Sequence, residues 1–127
     1  MADTQIIQSF IAAGTITEFA LVSLDVNGKV AVTAAGNDVT CVGVAQRACV
    51  AGDAVDVVVY GLTRVIAGGA IAPATEPRLS AHTGGTVTAA SATRYPVARI
   101  IPNINQTSAS TNDQILVLFV GPTVIHA

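Results

Sequence analysis

Residues 27–61 and 84–121 of this chain carry one pattern twice, and a strand pattern repeated twice restricts the fold to a few pseudo-symmetric arrangements. Each copy opens on a glycine turn and a short apolar run: Asn27-Gly28-Lys29-Val30 in the first, Gly84-Gly85-Thr86-Val87 in the second. A stretch rich in Ala and Thr follows, from Val32 to Gly36 and from Thr88 to Ala92. A second apolar run comes next, Val42-Gly43-Val44-Ala45 and Val97-Ala98-Arg99-Ile100. Both copies close with a polar turn into a very apolar run and a glycine, Gly52-Asp53 to Gly61 and Asn112-Asp113 to Gly121. Equivalent positions lie 57, then 55, then 60 residues apart, so the length differences fall in loops.

The runs read as short strands. Ile16 to Leu24, Val30 to Val32, Val39 to Ala48, Val55 to Ile66, 78–82, 86–90, 95–101 and Gln114 to Val120 are predicted strands, with glycine-bearing turns between them. Asn-Gly between apolar runs is a strong hairpin signal, because both residues tolerate positive φ. Val55 to Tyr60 is apolar on both faces apart from Asp56, which predicts a strand buried on both sides, within a closed sheet or under a neighbouring subunit. Outside the first residues no long window keeps a 3.6-residue period. The fold class expected is all-β: a small barrel or sandwich built from two pseudo-repeated strand units. The organisation expected is an N-terminal arm (1–15), one β domain (16–121) and a short tail (122–127). A connector passes through Pro73 and Pro77, and the polar stretch from Pro102 to Asp113 reads as the mobile loop tip.

Only 11% of the residues are charged, against about 25% in an ordinary soluble domain. So few charges leave little to cover a lone monomer, which predicts surface shared with other chains. The six basic residues, Lys29, Arg47, Arg64, Arg78, Arg94 and Arg99, are dispersed, and the net charge is −2. Nucleic acid is not an expected partner, because its recognition needs a clustered basic footprint. No run approaches the roughly 20 apolar residues of a membrane helix, and the first residues lack a basic region and long apolar core. The expectation is a chain made in the cytoplasm, with no membrane partner.

Chemistry-bearing residues are sparse. Cys41 and Cys49 lie in apolar sequence and read as small buried hydrophobes rather than as a disulfide or zinc pair. His82 and His126 are isolated from one another. His82 lies near Ser80 and Thr83, the one place where a nucleophile and a base come close in sequence, but such a set is recognised by geometry. Asp53 and Asp56 are the nearest thing to paired carboxylates. A turn aspartate bonding nearby backbone N–H groups, and an outward strand residue, account for them more simply than acid–base work. Glu18 reads as a surface charge. Gly68-Gly69 and Gly84-Gly85 lack phosphate-loop spacing. Asn105-Gln106-Thr107 matches a glycosylation pattern that is idle without secretion. No enzyme activity, metal or cofactor is expected.

The first 15 residues differ from the rest. Ile6, Ile7, Phe10 and Ile11 fall at i, i+1, i+4 and i+5, which suits one side of a short helix. An extended arm is equally open, folded back on its own domain or packed on a partner chain. This separate pattern predicts that residues 1–13 can be removed without unfolding the domain.

Taken in order, several motifs resemble the capsid cement (decoration) proteins of tailed phages, long catalogued as a domain of unknown function. They are Gly14-Thr15-Ile16-Thr17-Glu18-Phe19 entering Leu21 to Asp25, then Asn27-Gly28-Lys29-Val30, Val42 to Ala45 and Ala51 to Val57. Gly61 to Val65, Ala67 to Ile71 and Leu79-Ser80 complete the series. The resemblance spans about residues 14–121. It implies an all-β subunit that forms homotrimers on the outer face of an icosahedral head, bridging capsomers of the major capsid protein. In that family the N-terminal region commonly reaches toward the shell. Here the apolar pattern designates Gln5, Ile6, Ile7, Phe10 and Ile11 as the expected capsid contacts. The alternatives are another β-rich phage part, such as a head-fibre base or tail component, or a small-molecule-binding barrel.

Overall fold

The turn chemistry organises the local structure. In the computed structural model, which describes residues 5–33, 40–71, 76, 78–89, 96–101 and 110–121, the Asp25 carboxylate accepts the N–H groups of Asn27 (2.8 Å) and Lys29 (2.9 Å). The Asp25 N–H donates to Lys29 O (2.8 Å), closing the hairpin that the Asn-Gly pair predicts. The connector residues 72–75 and 77, the loop residues 102–109 and the tail 122–127 lie outside the described residues, as do His126 and Asn105 to Thr107.

Nine strands form among the described residues: β1 (Gln5–Ile11), β2 (Leu21–Leu24), β3 (Val30–Val32), β4 (Cys41–Ala45), β5 (Ala54–Ile66), β6 (Arg78–Ala81), β7 (Val87–Ala89), β8 (Ala98–Ile100) and β9 (Gln114–Phe119). The strand pairs are antiparallel, and they run in the order β3-β2-β4-β5-β9-β8-β6-β7 with β1 also on β5. The all-β expectation holds. β5 is the hub. Its first half pairs with β1 and β4, its second half with β9, and Gly61 is bridged by both Gln5 and Phe119. This accounts for the apolar run at Val55 to Val59.

Each end of the sheet curls back toward its middle. A single parallel bridge joins Ala12, just after β1, to Val30 on β3, and another joins Ala67, just after β5, to Val87 on β7. These two closures are 55 and 57 residues apart, and the whole register repeats with them. The pairs Val22–Val32, Ser23–Ala31 and Leu24–Val30 have as counterparts Leu79–Ala89, Ser80–Thr88 and Ala81–Val87. Val44–Val58 and Ala45–Val57 correspond to Arg99–Leu118 and Ile100–Val117. Phe10–Val55 and Ile11–Ala54 correspond to Val65–Ile115 and Ile66–Gln114. The repeating unit is therefore five strands: β1 to the first half of β5, then the second half of β5 to β9. It starts well before residue 27. The 57, 55 and 60 offsets in the sequence are those of the strand pairing.

Two apolar cores follow. Ala12, Ile16, Val22, Val30, Ala45, Val55 and Val57 fill the first unit. Val65, Ile71, Leu79, Val87, Ile115, Val117 and Phe119 fill the second, and Leu21, Cys41 and Val44 of the first unit join this second core. The units thus pack together through the outer face of β2 and β4. The turn before β7 seals the contact: the Gly85 N–H donates to Thr33 O (2.9 Å). A Cβ on Gly85 would stand 2.8 Å from the Ala20 Cβ, which is why glycine is needed there.

Two predicted strands are shorter than expected. Ile16 to Leu24 is broken, because Phe19 takes φ 62°, so β2 begins at Leu21 and Ile16 makes only one bridge, to Cys49. In Val39 to Ala48, of which Val39 lies outside the described residues, the strand is β4 alone, after which Gln46 turns away and donates its side-chain amide to Val44 O and Thr63 Oγ1.

Candidate functional site

The chemistry-bearing side chains do not converge. Asp53 stands in the turn before β5, where its carboxylate accepts the Val50 N–H at 3.1 Å. Asp56 is exposed on β5, opposite Ser9 of β1. His82 follows β6, and its Nδ1 lies 3.4 Å from Thr86 Oγ1, within its own turn. Ser80 is buried at 1% exposure, and its Oγ has no hydrogen-bond partner among the described residues. Cys41 and Cys49 are buried thiols not joined in a disulfide, and they lie in different cores. Among the described residues no three of His, Cys, Asp and Glu gather in a metal-binding geometry.

What the fold does present is an apolar strand surface. Of the two expected forms, residues 5–11 take the extended one, folded back on their own domain: they are β1, paired with Ala54 to Gly61 of β5 with one register shift between Ile6 and Ile7. The helical spacing of the isoleucines is overridden because β5 offers an edge that must be hydrogen-bonded. Phe10 points to the first core and packs on it, and Ala12 is buried at 1%. Removal of residues 1–13 would therefore take out a wall of the first unit, contrary to the sequence-based expectation.

The rest of β1 faces outward. Ile6, Ile7 and Ile11 are 57%, 50% and 42% exposed. Ile6 lies opposite Tyr60, itself 43% exposed, and residues opposite one another on paired strands share a face. Ile7, Ser9 and Ile11 share a face by strand alternation. Among the described residues β1 pairs only with β5, so its second edge keeps backbone donors and acceptors available to another chain. Gln5, at the start of the strand, donates its side-chain amide to Leu62 O. Of the five expected contact residues, Ile7 and Ile11 are exposed on one face, Ile6 is exposed opposite Tyr60, Gln5 bonds Leu62 O at the start of the strand, and Phe10 is turned inward.

Beside Gln5 opens a shallow groove of about 380 Å³, lined by Phe19, Gln46, Leu62, Thr63, Arg64 and Leu116. Its lining mixes apolar and amide groups with one cation and has no acid–base pair. Elsewhere, Glu76 hydrogen-bonds the Arg78 guanidinium at 2.9 Å and thereby raises its pKa, partly opposed by desolvation. The residues that sequence reasoning passed over are those that close the barrels. Ile11-Ala12-Ala13-Gly14 and Ile66-Ala67-Gly68-Gly69 agree at three of four positions, a signal that would have extended the repeat back to β1.

No protein-family model matches the chain, and no curated protein matches it. Among solved structures it is similar to the N base of the head fiber protein gp8.5 of bacteriophage phi29. The match has a TM-score of 0.69 at 16% identity and covers 97% of this chain and 100% of the other. At that identity the two chains share a fold, from β1 through β9.

Proposed function

We propose that this chain is a structural protein of a phage virion, a homotrimeric cement subunit on the outer surface of the head, bound to the major capsid protein. The observation that carries the reading is the end-to-end fold match to the base of a phage head fiber. The motif order described above and the outward isoleucines of β1 add to it. In this reading the chain is not an enzyme and needs no cofactor. It acts by mass action: a protein that binds the assembled lattice better than free coat subunits stabilises the assembled state. Three copies joined on one threefold position multiply weak contacts, and avidity can then exceed single-site affinity by roughly 10²–10⁴. The β1 surface supplies the shell contact, through Ile6, Ile7 and Ile11 and the open strand edge.

A second reading is favoured by the same comparison: the chain is the base of a head fiber. The two differ in what binding does to the head. The test adds the purified protein to heads that lack it, images them by electron microscopy and heats them. Density at local threefold positions, with a higher rupture temperature, is the expected result. Binding at other positions with unchanged rupture temperature would favour the fiber base. No binding would overturn both.

A further inference from the structure

We propose that the outer face of β5, β9 and β8 binds an extended protein segment in which an apolar residue stands between two acidic ones, through Arg64, Arg99 and the leucines that separate them. The site is distinct from the β1 surface and stands whether or not the chain binds a phage head.

The strand register builds this face. Arg64 of β5 lies opposite Leu116 of β9, and Leu118 of β9 lies opposite both Leu62 of β5 and Arg99 of β8. Opposite residues share a face, as do alternate residues along one strand. Leu62, Arg64, Leu116, Leu118 and Arg99 therefore form one surface. The residues between them, Thr63, Val117, Ala98 and Ile100 among them, are buried. On the outer side the two arginines are exposed and the three leucines half-buried.

Basic residues that are dispersed in the sequence thus meet in the fold. The repeat does not require them, since the equivalent positions of the first unit are Ser9 and Val44. Among the described residues neither Arg64 nor Arg99 has a carboxylate partner, whereas Arg78, opposite Arg99 on β6, is held by Glu76 at 2.9 Å. Arginines directly opposite one another repel, a cost that an approaching anion removes. Leu62, Arg64 and Leu116 also line the groove beside Gln5, which gives the face a hollow at its Arg64 end.

Spacing and charge select the ligand. Two strand spacings and a two-residue offset set Arg64 and Arg99 roughly 12 Å apart. In an extended chain two residues four positions apart lie roughly 13 Å apart, with the middle residue on the same side. Such a segment places one carboxylate on each arginine and its apolar side chain on Leu116 and Leu118. An apolar centre with a charged rim is the anatomy of a protein interface. Nucleic acid fits this face less well. Two unpaired cations are a small footprint for phosphates, and none of the five side chains is aromatic, so none can stack a base.

The test titrates the peptide acetyl-Glu-Ser-Leu-Ser-Glu-amide into the isotope-labelled full chain and follows the backbone amides by NMR. Shifts are expected at Leu62, Arg64, Leu116, Leu118 and Arg99. Arg64→Gln and Arg99→Gln should each weaken binding about two- to fivefold, as loss of an exposed ion pair does. Lys29→Gln, on the β2–β3 turn, should leave it unchanged. All three sites are exposed, so the variants should melt as the parent does. Unmoved amides on this face would overturn the inference, as would equal binding by the peptide with lysine in place of glutamate. Equal binding by the peptide with serine in place of leucine would reduce the face to bare charge. Tighter binding of a thymidine oligonucleotide would assign it to phosphate, and either result overturns the inference. Heads take no part in these readouts, so failure here and failure of the proposed function are told apart.

Discussion

Asp53 and Asp113 hold the same position in the two units. Each carboxylate accepts the backbone N–H three residues before it, from Val50 at 3.1 Å and from Ser110 at 2.8 Å. The backbone around them matches as well: Gly52 and Asn112 take φ 90° and 74° and donate to Ala12 O and Ala67 O. A charge-assisted bond in an exposed turn is worth about 1 kcal/mol. Asp53→Ala and Asp113→Ala should each lower stability by that amount in urea titration. The double variant should show their sum, since the turns share no partner.

Gly28 and Gly85 separate backbone strain from packing. Alanine at either costs about 1–2 kcal/mol for the left-handed conformation. At Gly85 it also strikes Ala20 at 2.8 Å and Leu21 O at 3.0 Å. Gly85→Ala should therefore be clearly more destabilising than Gly28→Ala in thermal melts. Equal losses would mean that the turn at 82–86 does not seat on the first unit.

Ser23 and Ser80 should respond with opposite sign. Ser23 Oγ lies 3.0 Å from Thr33 Oγ1, and the residue 57 positions after Thr33 is Ala90, which has no hydroxyl to offer. Ser23→Ala should cost about 1 kcal/mol. Ser80→Ala should be neutral or stabilising, since it removes an unpaired buried hydroxyl. Denaturant midpoints of the two variants check both.

Val57 is fully buried on the strand that serves both units. Val57→Asp should cost at least about 3 kcal/mol, through an uncompensated buried charge, and leave the chain largely unfolded by circular dichroism. A parent-like melt would remove β5 from the centre of the sheet.

The two uses of β1 can be told apart. Deletion of residues 1–13 should strongly destabilise the protein, because Phe10 and Ala12 leave the first core and β5 loses a partner. Ile6→Ser with Ile7→Ser should shift stability by less than about 0.5 kcal/mol, as expected of exposed sites, yet reduce retention on purified heads in a sedimentation assay. Retention equal to the parent would place the shell contact elsewhere.

What the sequence by itself determined was local and periodic. Asn27-Gly28, Gly52-Asp53 and Asn112-Asp113 specify their turns through residues that tolerate positive φ or bond their own backbone. The recurrence of those turns exposed both the all-β class and the offsets of the pairing register. The fate of Gln5 to Ile11 was decided only by the tertiary structure. Its isoleucines suit a helix and a strand alike, and the unpaired edge of β5, some fifty residues away, selects the strand. The break at Phe19 was equally hidden, since an aromatic residue in a left-handed conformation is imposed by packing rather than preferred. The same holds for Leu21 and Arg78, equivalent positions on equivalent strands. One is buried and the other exposed because the second unit covers the first and nothing among the described residues covers the second in the same way. Which surface is core and which is free depends on how the units stack, and stacking is a long-range contact that no local spacing encodes.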